Sequence, residues 1–334
     1  AQEAMAERII EYSGATLKTM RVLILVDLQG IYLNLHEWLR EQGFPVEGGL
    51  VLSRFATFQI LDVFDRIKKR IVKASGSSAA DFETLLEAIA KAGPGGTLGV
   101  NIMESYVRFK PEFDLFYAPS PLRDLEAKLN KYKDSLSLEI KGQLQSLKNG
   151  VVRHRNFERD YAAYDDFIAK LKANPEYSSS HEGFFSHHVG PKGLTFFDEK
   201  EVDTRIVIRA MDALHAREAD VLCILSSDQD FLPLHDRASG FGVSSFQADL
   251  ANFWRDDRVA KKLRKMGAKF LRGNFLPTWP LKVIIEAAHV REFNKNGMYQ
   301  LTENEIAGLC KMNNQHNELQ VLFDGGQFSF FRRD

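Results

Sequence analysis

The run VLILV at 22–26 constrains the fold more than any other stretch of the chain. Five consecutive apolar residues that end at once in an acid, Asp27, suit a strand buried on both faces, as at the centre of a parallel sheet. A second run, VLCIL at 221–225, empties in the same way into Ser226, Ser227, Asp228, Gln229 and Asp230. Parallel neighbours need crossover helices, and the spacing of apolar residues predicts them. Phe55, Phe58, Leu61, Phe64, Ile67 and Ile71 recur at helical spacing over 53–74, and Asp81 opens a helix that Gly93-Pro94 stops. FDLFYAPSP at 113–121 reads as a further strand, 122–147 as a long charged helix and 161–173 as another helix. The turn-rich stretch 174–193, NPEYSSSHEGFFSHHVGPKG, reads as a loop or a short hairpin. The last third alternates clearly: helix KEVDTRIVIRAMDALHA, strand DVLCIL, a helix from Phe231, strand VSSFQ, helix FWRDDRVAKKLRKM, strand KFLRG. Such alternation predicts a doubly wound α/β fold whose functional crevice lies at the carboxyl ends of the strands.

LPTWP at 276–280 reads as a boundary, giving an N-terminal helical leader or extension over 1–19, a main α/β domain over 20–275 and a C-terminal module over 276–334. In the module the expected order is helix, strand MYQL, a helix opened by the capping box Thr302 to Glu305, a short further helix and a hairpin at Asp324-Gly325-Gly326. That order suits a winged-helix-like unit, and equally an extension packed against the main domain.

Three segments deliver acids to the expected crevice: Asp27, Asp203 in the first turn of a helix, and Asp228 with Asp230. Each has a plain alternative reading, since a first-turn acid favours the helix dipole and an acid before a helix can cap it. Together they repel unless a cation neutralises them, and hard carboxylate oxygens suit Mg²⁺ or Mn²⁺. On the Asp203 helix, Val202, Ile206, Ala210 and Ala213 form the apolar face, with Asp203 about 100° round from Val202 and able to face the crevice.

LILVDLQGIY, KEVDTRIVIRAMDAL and VLCILSSDQDFLPLHDRASGFGVSSF, in that order, resemble the NYN domain of the PIN-like nuclease superfamily. The resemblance implies a PIN-like doubly wound sheet over 20–275, with insertions at about 35–100 and 123–180. It implies a metal-dependent ribonuclease in which Asp27, Asp203, Asp228 and Asp230 form an acidic metal site for Mg²⁺ or Mn²⁺. Ser226 and Ser227 are expected to hold ligands or phosphate from behind. The family pattern has Asn three residues after the first Asp, where this chain has Gly30; Gln29 and Asn34 are the nearby amides, and neither occupies the matching position.

The net charge of −1 means that phosphate binding must come from local basic patches. The best candidate runs from Trp254 to Arg272 and includes Arg258, Lys261, Lys262, Arg264, Lys265 and Lys269, with RIKKR at 66–70, RHR at 153–155 and Lys200 as supplements. Each run taken singly also reads as a solvated helix face. His181, His187 and His188 lack the spacing of a common zinc site, and GPGGTLG at 93–99 lacks the ending of a phosphate-binding loop. The apolar runs are too short to span a bilayer, and two cysteines, Cys223 and Cys310, form no disulfide framework, which suits a cytoplasmic protein. The favoured expectation is an endoribonuclease acting on RNA, with DNA as a second substrate class and the C-terminal module, closing in FSFFRR, as a surface for nucleic acid, a protein partner or a second copy. The alternatives are a catalytically weak nucleic-acid-binding or regulatory protein, and a phosphatase or other phosphotransfer enzyme. VDLQG lacks the second acid of haloacid-dehalogenase-type phosphatases.

Overall fold

A computed structural model describes residues 1–41, 49–74, 79–93, 96–98, 102–120, 130–131, 138, 142, 145, 161–189, 195–249, 257–265, 267–272, 281, 284 and 303–333. The helix read over 122–147 lies almost wholly outside these residues, as do RHR, LPTWP and MYQL.

The central run is longer than its apolar core. Strand β1 spans Thr16–Asp27, with Val22 to Asp27 buried and the preceding residues more exposed, because β3 (Ser105–Tyr117) pairs with it along its whole length. β1 therefore begins four residues inside the stretch read as a leader. Helix α1 (Gln2–Ser13) packs Ala6 and Ile10 against Phe82, Leu85 and Ile89 of α4 (Phe82–Ala92) and against Tyr106 of β3. α4 has the cap its sequence announced, with Asp81 accepting a hydrogen bond from the Glu83 amide at 3.1 Å.

Among the described residues the main sheet has seven strands, in the order β2 (Ala79–Asp81), β3, β1, β7 (Val221–Leu225), β8 (Ser244–Asp249), β9 (Lys269–Arg272), with β4 (Tyr177–Glu182) also pairing β3. Every pairing in it is parallel. The chain places β2, β3 and β4 on one side of β1, with β3 between β2 and β1, and then builds outward through β7, β8 and β9 on the other, so strand order reverses at β1.

Alternation along β1 sorts its side chains between two layers. Val22, Ile24 and Val26 share a core with α2 (Leu28–Glu41), α3 (Gly49–Ala74) and α5 (Tyr161–Lys172). Leu23 and Leu25 share the other with α6 (Val202–His215) and α7 (Leu232–Gly240). The helical order expected at 231–272 is present, with α8 spanning Asp257–Lys265 between β8 and β9.

Residues 174–193 depart from the loop-or-hairpin expectation. Tyr177–Glu182 is a strand of the main sheet, while β5 (Phe184–Val189) pairs antiparallel with β6 (Thr195–Lys200). The polarity of β4 follows from its neighbour: Ser179 donates to Asp114 of β3, a fully buried carboxylate that Arg209 of α6 also binds at 2.8 Å.

Near the C-terminus, α9 (Glu303–His316) runs directly into the hairpin β10 (Leu319–Asp324) and β11 (Gln327–Arg332), without the further helix expected between them. Its turn has Gly325 at φ 54° and Gly326 at φ 84°, as the Asp-Gly-Gly sequence requires. The Asn314 amide stands in for a strand neighbour, accepting from Val321 N at 2.7 Å and donating to Val321 O at 2.9 Å. Ile306, Leu309, Cys310, Met312 and Val321 belong to the same core as the α2 face of the sheet.

Candidate functional site

The alternation that sends Leu23 and Leu25 toward α6 also sends Asp27 that way, and on β7 Leu222 and Ile224 set the direction of Ser226. β1 and β7 are adjacent, so the two strand ends meet. The Ser226 hydroxyl donates to Asp27 Oδ2 at 2.8 Å and accepts from the Asp228 amide at 3.1 Å. Asp27 Oδ1 accepts from the Gly30 amide at 2.9 Å, in the first turn of α2. Asp228 Oδ1 accepts from the Asp230 amide at 2.8 Å and opens the short 3₁₀ turn Gln229–Phe231 ahead of α7.

Asp203 enters from the first turn of α6, across the same crevice. Its carboxyl is pushed up to about 6, first by partial burial and then by the charges of Asp27, Asp228 and Asp230. The residue remains solvent-accessible, so screening limits how much of that shift acts on folding. Asp27 is buried and its carboxyl is raised by desolvation; the Gly30 and Gln29 amides and the Ser226 hydroxyl oppose the rise, and Asp228 adds to it. The charges of Asp27, Asp228 and Asp230 thus all bear on Asp203. Among the described residues no three acidic, imidazole or thiol groups stand together at ligating distance, so joint coordination of one ion requires side-chain movement or bridging water.

A family model of the NYN domain, a domain of the PIN-like nuclease superfamily, matches residues 124–266. Residues 124–266 are thus similar to an NYN domain. No curated protein and no solved structure matches the chain. The NYN match takes in Asp203, Asp228 and Asp230, and the parallel sheet flanked by helices is consistent with a PIN-like fold. β1 precedes the matched range, so Asp27 reaches the acidic crevice from outside it.

Gly30, the departure from the NYN pattern, lies against Asp27. A Cβ at this position would fall 3.0 Å from Asp27 Cγ and inside contact distance of Oδ2. Asn34 sits one helical turn beyond Gly30 on the same face of α2, and helix side chains lean toward the N-terminus. Its Nδ2 donates to the Ser227 hydroxyl, so an amide reaches the acidic turn from the next turn of the helix. Gln29 Oε1 is buried without a hydrogen-bond donor. Lys200 is exposed at the end of β6.

Lys261, Lys262, Arg264 and Lys265 are exposed on α8, while the Arg258 side chain lies outside what is described. Lys269 pairs in register with Phe246, and Phe246 with Cys223, three residues short of Ser226. At the rise of a strand that puts it about 10 Å below the acidic rim, with its ammonium over the Phe246 ring. His181 packs flat on Phe116 at 4.5 Å and lies 3.9 Å from Asp114; the side chains of His187 and His188 are outside what is described.

Of two residues that sequence reading passed over, one touches the acidic turn directly and the other acts through it. Gln247 of β8 donates to the Ser226 and Asp228 carbonyls, and His235 of α7 holds Gln247. The signal available was a glutamine in VSSFQ, a strand whose position between neighbours leaves no face to water.

Proposed function

We propose that the chain is a metal-dependent endoribonuclease and that its acidic crevice is the active site. The observation that carries this reading is the gathering of Asp27, Asp203, Asp228 and Asp230 at the point where strand order reverses, where partial burial and then the charges of the other three raise Asp203 to about 6. Oxygen donors under unbalanced negative charge fit Mg²⁺ or Mn²⁺, with Asp27, Asp203 and Asp228 as holders and Asp230 as a holder or an orienter of the attacking water. A divalent ion bound there lowers the pKa of water and screens charge developing on a phosphodiester. Ser226 fixes the direction of the Asp27 carboxylate, and Asn34 holds Ser227, so both keep the acids aimed before substrate arrives. Lys200 and the exposed cations of α8 supply the charge that binds an RNA backbone, and that binding weakens steeply with salt. A C-terminal surface including Phe330 and Phe331, both exposed, is the proposed contact for nucleic acid, a partner or a second copy. A cytoplasmic setting suits Cys223 and Cys310, both buried and unpaired. Among the described residues no helix is long and apolar enough to cross a membrane.

A second reading, a catalytically weak RNA-binding protein, is favoured by one feature: both oxygens of Asp27 are already engaged, by Gly30 and Ser226. The deciding experiment is cleavage of labelled single-stranded RNA and DNA with Mn²⁺, Mg²⁺ or EDTA, beside an Asp228→Asn control. Metal-dependent cutting of RNA that disappears in a folded Asp228→Asn protein is expected. Binding without cutting under every metal leaves the second reading standing, and full activity in the variant removes the acidic crevice as the active site.

A further inference from the structure

Ser226 and Asp228 lie past Leu225, the last residue of β7 in the sheet ladder, so their carbonyls need donors from elsewhere. One side chain serves both. Gln247 Nε2 lies 2.7 Å from Ser226 O and 3.1 Å from Asp228 O. Gln247 is completely buried on β8, opposite Ile224 of β7. Because both partners in the turn are carbonyls, the amide nitrogen must face them and the amide oxygen must face away. That oxygen is 2.7 Å from His235 Nε2, which must therefore carry the ring proton. His235 is completely buried, and its Nδ1 is left as an acceptor with no hydrogen-bond donor. A histidine that only filled space would gain nothing from that uncompensated nitrogen, whereas an apolar residue at 235 would leave the buried Gln247 amide oxygen without a donor and favour a rotamer turned away from the two carbonyls.

We propose that Gln247, oriented by His235, is the positioning residue of the acidic turn and sets where Asp228 and Asp230 stand opposite Asp27 and Asp203. The proposal rests on the nuclease reading for its consequence in catalysis, but the clamp itself can be tested without it. Gln247→Met keeps the volume and removes the donor; His235→Gln keeps an N–H toward Gln247, and His235→Leu removes it.

In Gln247→Met, amide hydrogen exchange over 226–230 quickens while exchange in β1 and β7 stays as in wild type. Loss of a supporting hydrogen bond of this kind weakens Mn²⁺ binding and lowers kcat by about 10- to 100-fold, with the KM for RNA unchanged. His235→Gln restores near-wild-type exchange and Mn²⁺ affinity, and His235→Leu behaves like Gln247→Met. A lowered melting temperature alone, with exchange over 226–230 as in wild type, overturns the proposal, because a packing role would produce only that. Where Gln247→Met fails to fold, His235→Leu carries the same decision. Should the wild type bind no Mn²⁺ and cut no RNA, the nuclease reading fails, while exchange over 226–230 still decides the clamp.

Discussion

Replacing Gly30 with alanine sets two effects of opposite sign against each other. Glycine within a helix is about 0.5–1 kcal/mol worse than alanine, so propensity alone predicts a more stable protein. Geometry opposes it, since the new Cβ would lie 3.0 Å from Asp27 Cγ and 3.3 Å from Oδ1, with Oδ2 nearer still. The obstructing atoms belong to a side chain, and a free carboxylate would swing away at little cost. This one is buried and tied at both oxygens, to the Gly30 amide at 2.9 Å and the Ser226 hydroxyl at 2.8 Å. Swinging forfeits the cap of α2, about 0.5–2 kcal/mol, and a hydrogen bond to a charged group, about 1.5–3 kcal/mol. The losses exceed the gain, leaving Gly30→Ala less stable by about 1–4 kcal/mol. Urea unfolding measures this directly, as a lower midpoint at unchanged slope. A variant as stable as wild type, or more so, would refute the reasoning and free position 30 for the amide of the NYN pattern.

The other expectations concern charge. Asp203 ionises less readily in the fold, at about 6 against an ordinary 3.8, so its charge opposes folding at neutral pH. Asp203→Asn is therefore more stable than wild type above pH 6, and the advantage shrinks as pH falls through about 6 toward 3.8, where wild type holds its own proton; urea midpoints across that range check the trend. Arg209 binds Asp114 at 2.8 Å, Glu218 at 2.7 Å and Glu112 at 3.3 Å, so Arg209→Met strands a fully buried carboxylate and costs about 3–5 kcal/mol, read by chemical unfolding. In the same variant the His181 pKa rises, since burial and then the Arg209 and Arg205 charges hold it down against Asp114; imidazole NMR follows it. Changing Lys261, Lys262 and Lys265 together to Glu weakens RNA binding and flattens its salt dependence without altering Mn²⁺ affinity, as fluorescence titrations will report.

Elements with local signals were legible in the sequence. Asp81 caps α4 through the Glu83 amide, the Asp-Gly-Gly turn closes the last hairpin, and both apolar runs became central strands. β4 was hidden because its polar residues answer a distant demand, the buried Asp114, and read locally as turn formers. The exposed first part of β1 was hidden for a related reason, since only the length of β3 explains it. Of the candidate site, the placement of Asp27 at a strand end was legible because the apolar run runs straight into it. Gln247 and His235 were not legible, and Asn34 only as a nearby amide, because they act through hydrogen bonds made across 12 to 193 residues of sequence.

The plain readings of the acids, as helix caps or first-turn residues, turn out to be the same fact as their convergence. Asp27 precedes α2 and accepts its Gly30 amide, Asp228 opens the turn into α7, and Asp203 lies in the first turn of α6. In a doubly wound sheet the crossover helices run against the strands, so their positive ends arrive at the edge where the strands end. Three such ends bring about half a unit of positive charge each, roughly 1.5 in all, against as many as four carboxylates. The deficit is about two to three negative charges, and with the partial burial of Asp203 it keeps a proton there up to about 6. Above that pH the deficit is close to the charge of one divalent cation, so Mn²⁺ and protons must compete for it. Mn²⁺ affinity should therefore climb with pH through about 6 and level off above, and a flat dependence would mean that the helix ends alone suffice.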